Sequence, residues 1–113
     1  MRRDVESLLD ILQAARYAQN SLAGKDKEEF VEDAQCHFAV IRAVEIIGEA
    51  ANRVSDEFQE SHPELPWRDM VNMRNRLIHI YDDVDLGLVW KTVREDLPAL
   101  ISLIEPLVPG YPG

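Results

Sequence analysis

The long helix predicted from about residue 27 to residue 54 constrains the fold of this chain most. At about 100° per residue, its apolar positions from Phe38 to Val54 cover roughly two thirds of the circumference of a helix. A helix on the surface of a bundle needs an apolar stripe only about 100° wide. The excess predicts that this helix packs against neighbours on two sides. One neighbour could belong to a second copy of the chain; the alternative is a central helix in a monomeric bundle.

Local signals predict a helix before this segment and mark the start of the long helix itself. Residues 4–23 place apolar side chains at helical spacing, with Asp4 as a candidate N-cap and Gly24 as a candidate stop. Asp26 and Glu29 have the spacing of a capping box, which places the start of the second helix directly after Asp26.

Two further helices are predicted after a break that contains two prolines, "SDEFQESHPELP". The third helix runs from Pro66 or Trp67 to Tyr81. The fourth covers about 86–105, with Asp85 as its N-cap, and Pro98 should kink or divide it. No stretch alternates with period two for long enough to predict a strand. The sequence therefore predicts an all-α fold, an antiparallel bundle of four to five helices.

Length and composition predict one domain and a reducing compartment. The 113 residues suit a single domain, which we assign to residues 1–108, with 109–113 as a flexible Pro- and Gly-rich tail. Cys36 is the only cysteine, so no internal disulfide can form. No apolar run approaches the roughly 20 residues that span a bilayer. Because the N-terminal segment also turns acidic too early for a secretory signal, we expect a cytoplasmic protein without membrane association.

The net charge limits how this protein could bind nucleic acid. The formal charge is −9 and the isoelectric point is about 4.7. Duplex binding normally uses a basic patch that displaces counterions, so bulk attraction to nucleic acid is excluded. Any contact with RNA should be local and short.

The stretch "MRNRLIHIYDD", residues 73–83, carries unusual chemistry for a helix that should be buried. On a helical wheel, Arg74 and Tyr81 fall near the centre of the apolar sector, on one face. A buried guanidinium needs a partner or a water-filled cleft. We therefore expect Arg74 either to pair with a carboxylate, Glu45 or Glu49, or to line a cleft where it meets a phosphate.

The remaining polar residues of the stretch fall elsewhere on the wheel. Arg76 is expected to point to solvent, and Asn75 and His79 form an i, i+4 pair that can touch. Arg74 and His79 are about 140° apart on an ideal helix. They can meet at one substrate only if the helix opens near His79 or if a second subunit supplies the missing copy.

Two other features have both a structural and a functional interpretation. Gly48 lies inside the long helix, where it indicates either close approach of another backbone or simple tolerance. Asp82, Asp83 and Asp85 could hold a metal, but carboxylates at a helix junction are more often caps and solvated charge. We predict no metal and no cofactor.

The motif and its surroundings resemble a known family. "RNRLIHIY" reads as Arg-Asn-x-x-x-His-x-Tyr at Arg74, Asn75, His79 and Tyr81. This resembles the HEPN superfamily signature, an arginine and a histidine separated by four to six residues. The added Tyr81 points to the HepT toxin family. Three blocks in order also resemble that family, so the resemblance covers nearly the whole chain: "AVEIIGEAANRVS" (43–55), "LPWRDMVNMRNRLIHIYDDVDLGLVW" (65–90) and "DLPAL" (96–100).

The resemblance implies a HEPN-like two-fold homodimer, in which Arg74 and His79 of both copies line a cleft. It implies a metal-independent endoribonuclease, the toxin of a type VII-like toxin–antitoxin pair, with Arg74 and His79 catalytic and Asn75 and Arg76 supporting. The implied antitoxin is an MNT-type minimal nucleotidyltransferase that transfers AMP to Tyr81. The alternative is a non-catalytic helical dimer that binds such a nucleotidyltransferase, and a third interpretation is a purely structural dimer.

Overall fold

Helices account for most of the part of the chain that the computed structural model describes, residues 2–79 and 83–108. A two-residue antiparallel pair of strands, β1 (Ile78–His79) and β2 (Asp83–Val84), joins the two halves. A π-helical turn (Thr92–Asp96) precedes the last helix, and a 3₁₀ turn (Glu105–Leu107) follows it. The predicted all-α fold is confirmed. The helices are α1 (Arg2–Leu22), α2 (Lys27–Val31), α3 (Ala34–Arg53), α4 (Asp56–Ser61), α5 (Trp67–Leu77), α6 (Leu86–Lys91) and α7 (Leu97–Ile104).

Helix α3 lies at the centre, with α1 on one side and α5 on the other. The two neighbours predicted from its wide apolar surface are therefore present within a single chain. Phe38 of α3 is nevertheless 77% exposed. The core combines fully buried side chains from every long helix, among them Leu8, Ile11, Leu12, Val40, Val44, Ile47, Met70, Leu77, Leu97 and Ile104.

The prediction of one long helix from 27 to 54 is wrong in one respect, because this part of the chain is divided into α2 and α3. Asp26 and Glu29 form the predicted capping box at the start of α2. Asp33 then starts a new helix, since its Oδ1 accepts a hydrogen bond from the Cys36 amide at 3.1 Å. Aspartate competes with the helical backbone for such amides, which favours a helix start over a helix interior.

The prediction that Asp4 caps α1 is wrong. Asp4 instead connects α1 to the end of α3. The helix begins before it, at Arg2, and Asp4 is only 2% exposed. Its carboxylate accepts two hydrogen bonds from Ser55, from the amide and from the hydroxyl, each at 2.8 Å. The backbone hydrogen bond from Ser55 is the main cause that lowers the pKa of Asp4.

The proline-rich break after α3 contains a short helix, α4, which the sequence did not predict. Ser55 is its N-cap, because its hydroxyl accepts a hydrogen bond from the Phe58 amide at 3.2 Å. Asp56 and Glu57 in the first turn suit the positive end of the helix dipole.

Helix α5 ends at Leu77, four residues before the predicted end at Tyr81. The Leu77 carbonyl accepts a hydrogen bond from the amide of Asp85 at 2.9 Å, so the chain folds back at this point. Asp85 then caps α6 through the Leu88 amide, as predicted. The expected irregularity at Pro98 is also present: the Leu97 amide donates to the Thr92 carbonyl, which closes the π-helical turn just before the proline.

Candidate functional site

Gly48 sets the distance between the two helices that form the candidate site. A Cβ atom at this position would lie 3.3 Å from the carbonyl oxygens of both Met70 and Val71 in α5. Of the two explanations that the sequence left open for Gly48, this distance supports close approach of another backbone. It fixes α5 against α3 one turn before Arg74.

Arg74 lies beside α3 and is paired with Glu45. Its Nε donates a hydrogen bond to Glu45 Oε2 at 2.9 Å, and its side chain is 44% exposed. The expectation that Arg74 is buried is wrong, whereas the expected pairing with a carboxylate is confirmed. Val71, three residues before Arg74 in α5, is also 37% exposed, so this side of α5 is less covered than the helical wheel assumed.

A groove of about 500 Å³ runs between α3 and α5 and contains Arg74. Charges of both signs line it. Arg42 Nη1 lies 3.7 Å from Glu45 Oε1 and 3.3 Å from Glu49 Oε1, so two guanidiniums face two carboxylates. The groove therefore has no net charge from these four groups. Its walls are Arg42, Val44, Glu45, Gly48, Glu49, Asn52, Val71, Arg74 and Asn75.

The polar wall of this groove had a signal in the sequence. Arg42, Glu45, Glu49 and Asn52 are polar residues of a largely apolar helix and share one stripe at helical spacing. From the sequence we predicted Glu45 or Glu49 as the partner of Arg74. The ion pairs of Arg42 with both glutamates were not predicted.

Asn75 and Arg76 separate onto different faces of α5. Asn75 is exposed and lines the groove together with Arg74. Arg76 is exposed, as predicted, and donates from Nη2 to the Asp69 carbonyl at 3.5 Å. It lines a second cavity of about 350 Å³, so Arg76 does not share the groove with Arg74.

His79 lies beyond the end of α5, in strand β1, where its backbone pairs with Asp83. The helix thus opens before His79, which is one of the two conditions under which it could meet a substrate held by Arg74. The i, i+4 argument for contact with Asn75 does not apply here, because the helix ends at Leu77. The side chains of Ile78, His79 and Asp83 lie outside the described part of the chain.

The predicted modification residue, Tyr81, lies outside the described residues together with Ile80 and Asp82. The i, i+7 spacing that placed Tyr81 beside Arg74 assumed a helix that continues to 81, whereas α5 ends at Leu77. The tail, residues 109–113, lies outside the described residues as well.

A cluster of metal ligands and a membrane-spanning helix are both absent from the described residues. Within residues 2–79 and 83–108, no three His, Cys, Asp or Glu side chains form a group that could hold a metal ion. In the same residues, none of the helices combines the length and apolar character needed to cross a membrane.

Comparison with known proteins identifies the family. The model of the family described as "Ribonuclease HepT-like" matches residues 11–107. The chain belongs to the HepT-like ribonuclease family. The resemblance found in the motif at Arg74 is thereby confirmed at the level of the family.

Relatives of this HepT-like chain come from archaea and bacteria. It is 51% identical over 80 residues to a protein of Thermococcus cleftensis named "Probable ribonuclease HepT", with 71% of this chain and 73% of that protein covered. It is 42% identical over 105 residues to a "Putative RNase" of Methanocaldococcus jannaschii, with 92% and 96% covered. A "Putative RNase" of Caldanaerobacter subterraneus is 34% identical over 98 residues, with 87% and 88% covered. No solved structure gave a significant match.

Proposed function

We propose that this protein is a metal-independent endoribonuclease and the toxin of a type VII-like HepT/MNT toxin–antitoxin pair. The observation that carries the proposal is the position of Arg74 at the end of α5, on a groove and just before the backbone opens toward His79. Membership of the HepT-like ribonuclease family and the RNase names of its relatives support the activity.

The proposed chemistry divides between two residues. Arg74 binds the phosphate and stabilises the charge that develops on it, since a guanidinium can grip two phosphate oxygens at once. His79, whose type has an unperturbed pKa of about 6.5, takes the proton from the 2′-hydroxyl or gives one to the leaving oxygen. The 2′-oxygen bonds to phosphorus as the bond from phosphorus to the 5′-oxygen breaks. Asn75 supports Arg74 from the same groove, while Arg76 contributes only its charge from the opposite face.

A two-fold homodimer would supply the second proton-transfer group, a partner copy of His79. The exposed face beside the groove supports this arrangement, because Phe38 is 77% exposed there and shares the α3 stripe with Arg42, Glu45 and Glu49. Mixed dimers that contain one His79→Ala subunit test the idea. Cleavage per intact site that stays unchanged would refute the sharing.

The proposed regulation is transfer of AMP by an MNT-type nucleotidyltransferase to the hydroxyl of Tyr81. The tyrosine oxygen forms a bond to the α-phosphorus of ATP, and pyrophosphate leaves. The support is the motif, in which Tyr81 follows His79 by two residues. Intact mass after incubation with the partner and ATP should rise for the wild type and stay constant for Tyr81→Phe; a gain that survives the substitution would refute the assignment.

The decisive experiment on activity is RNA cleavage with divalent metals chelated. Purified wild type should cleave RNA, and both Arg74→Ala and His79→Ala should be inactive. Arg53→Ala is a matched control, because Arg53 is an exposed arginine that pairs with Asp10 outside the groove. Cleavage that persists in either motif variant, or that needs added metal, would refute the proposal.

A second candidate function is a non-catalytic dimer that binds the nucleotidyltransferase. The absence of net charge from Arg42, Glu45, Glu49 and Arg74 in the groove, on a chain of net charge −9, favours it. A wild type that does not cleave RNA but binds the nucleotidyltransferase tightly would support this candidate.

A further inference from the structure

We infer that Glu45 is a positioning residue that orients Arg74 toward the phosphate of the substrate. The inference rests on the proposed function and names a residue of α3 that acts through Arg74. Glu45 itself would not touch RNA.

The hydrogen bond between the two side chains uses only one edge of the guanidinium. Arg74 donates from Nε to Glu45 Oε2 at 2.9 Å. Among the described residues, none accepts a hydrogen bond from Nη1 or Nη2 of Arg74. As far as the described residues go, the edge formed by the two terminal nitrogens, which can hold a phosphate in bidentate fashion, is therefore left available.

Glu45 also lies close to a second guanidinium, that of Arg42. Its Oε1 lies 3.7 Å from Arg42 Nη1, while its Oε2 accepts from Arg74. One carboxylate thus lies between two guanidiniums, and its side chain is only 31% exposed. Glu45 is held by charge from both directions, which makes it a better anchor for Arg74 than a free surface carboxylate would be.

The charge of the groove makes orientation matter more than attraction. Arg42 and Arg74 are balanced by Glu45 and Glu49, so the four groups together give no field that would draw in a polyanion. An unheld arginine side chain loses rotamer freedom when it binds. Binding of a phosphate here depends on a guanidinium that already presents its free edge.

Glu49 provides a matched control within the same groove. It is a glutamate of the same helix and lies 3.3 Å from Arg42 Nη1, and it makes no described contact with Arg74. Removal of either glutamate takes one negative charge from the groove. Only removal of Glu45 eliminates the hydrogen bond that holds Arg74 Nε.

The first measurement does not depend on activity. In protein labelled with ¹⁵N-arginine, the Nε–H resonance of Arg74, assigned by its absence in Arg74→Lys, should exchange slowly with solvent. Glu45→Ala should accelerate that exchange, Glu49→Ala should leave it unchanged, and Glu45→Gln should restore part of the protection because an amide oxygen can still accept. Exchange that is the same in Glu45→Ala and wild type would overturn the inference.

The second measurement is RNA cleavage by the same variants, each checked by thermal melting to be folded. Glu45→Ala should lower kcat by about tenfold, which is the order expected for losing one charge-assisted hydrogen bond. Glu49→Ala removes the same negative charge but leaves the hydrogen bond between Arg74 and Glu45 in place, so it should not lower kcat. Glu45→Gln should fall between wild type and Glu45→Ala. If Glu45→Ala instead raises cleavage or tightens RNA binding, Glu45 competes with the substrate and the inference is wrong.

Failure of the proposed function can be told apart from failure of this inference. If wild type does not cleave RNA, the ribonuclease proposal fails by itself. Binding of a 2′-O-methyl oligoribonucleotide, which cannot undergo the reaction, then tests positioning: it should weaken in Glu45→Ala and should not weaken in Glu49→Ala. Equal binding by both variants would overturn the role of Glu45.

Discussion

The contact between Asp4 and Ser55 gives a sharp prediction about stability. Asp4→Ala removes a buried carboxylate that accepts two hydrogen bonds, each of 2.8 Å, from a residue 51 positions away. Ser55 is also the N-cap of α4. The substitution should therefore loosen the start of α1, the end of α3 and the start of α4 together.

The size of the effect follows from the kind of hydrogen bond. A hydrogen bond to a charged group contributes about 1.5–3 kcal/mol. Ser55 is exposed, so its amide and hydroxyl can turn to water once Asp4 is gone. We therefore expect a total loss of about 2 kcal/mol rather than twice the single value. For a chain of this length that lowers the melting temperature by about 8 °C.

Asp10→Ala is the matched control for this prediction. Asp10 lies on the same helix and pairs with Arg53 at 3.1 Å, but both side chains are about half exposed. Exposed ion pairs contribute about 0–1 kcal/mol. Thermal and urea unfolding should separate the two variants clearly, and an equal loss of stability in both would refute the reasoning from burial.

The pH dependence of the Asp4 effect has a definite sign. Its pKa is lowered in the folded protein, first of all by the hydrogen bond from the Ser55 amide. A lowered pKa means that the stabilisation is fully present above the unfolded pKa of about 3.9 and disappears as the pH falls through the folded value. The stability difference between wild type and Asp4→Ala should thus be constant near neutral pH and shrink below about pH 4. A difference that grows in acid would contradict the assignment.

Three further substitutions test the fold and the site. Gly48→Val should lower the free energy of unfolding by about 1–3 kcal/mol, because the larger side chain overpacks against the α5 carbonyls. The Nε–H resonance of Arg74 should also shift, and a variant as stable as wild type would show that α5 can move freely. Asp26→Ala should lower the free energy of unfolding measured in urea by about 1 kcal/mol, because it removes the N-cap of α2. An unchanged value would mean that α2 needs no cap. Phe30→Ala should lower the free energy of unfolding by about 3–5 kcal/mol, since Phe30 is fully buried. A smaller decrease in melting temperature than that of Asp26→Ala would contradict its position in the core.

Short-range features of the fold were predictable from the sequence because their causes are local. Capping by Asp26 and Asp85 depends on residues three positions away. The stop at Gly24 reflects a φ of 76°, which only glycine adopts without strain. Gly48 was informative for a different reason, since a glycine inside a helix is costly. The sequence left close approach of a backbone and simple tolerance open, and the contact with α5 supports the first.

The features that escaped prediction depend on distant partners. Nothing in the neighbourhood of Asp4 indicates that Ser55 will approach it. The break at Asp33 is ambiguous, because an aspartate can occupy a helix interior at a small cost or start a new helix. The end of α5 at Leu77 depends on the amide of Asp85, which takes up the Leu77 carbonyl after the chain has folded back.

Arg74 shows why a helical wheel finds a site but does not describe it. The wheel gives the direction of a side chain around its own helix and says nothing about how far the neighbouring helix covers that direction. Here Gly48 draws α3 close, and the side chains next along α3 toward Arg74 are polar. A guanidinium in a nominally apolar sector is therefore met by Glu45 instead of by hydrocarbon. Because the charges of the groove cancel, any preference for phosphate must come from which edge of Arg74 is left unbound.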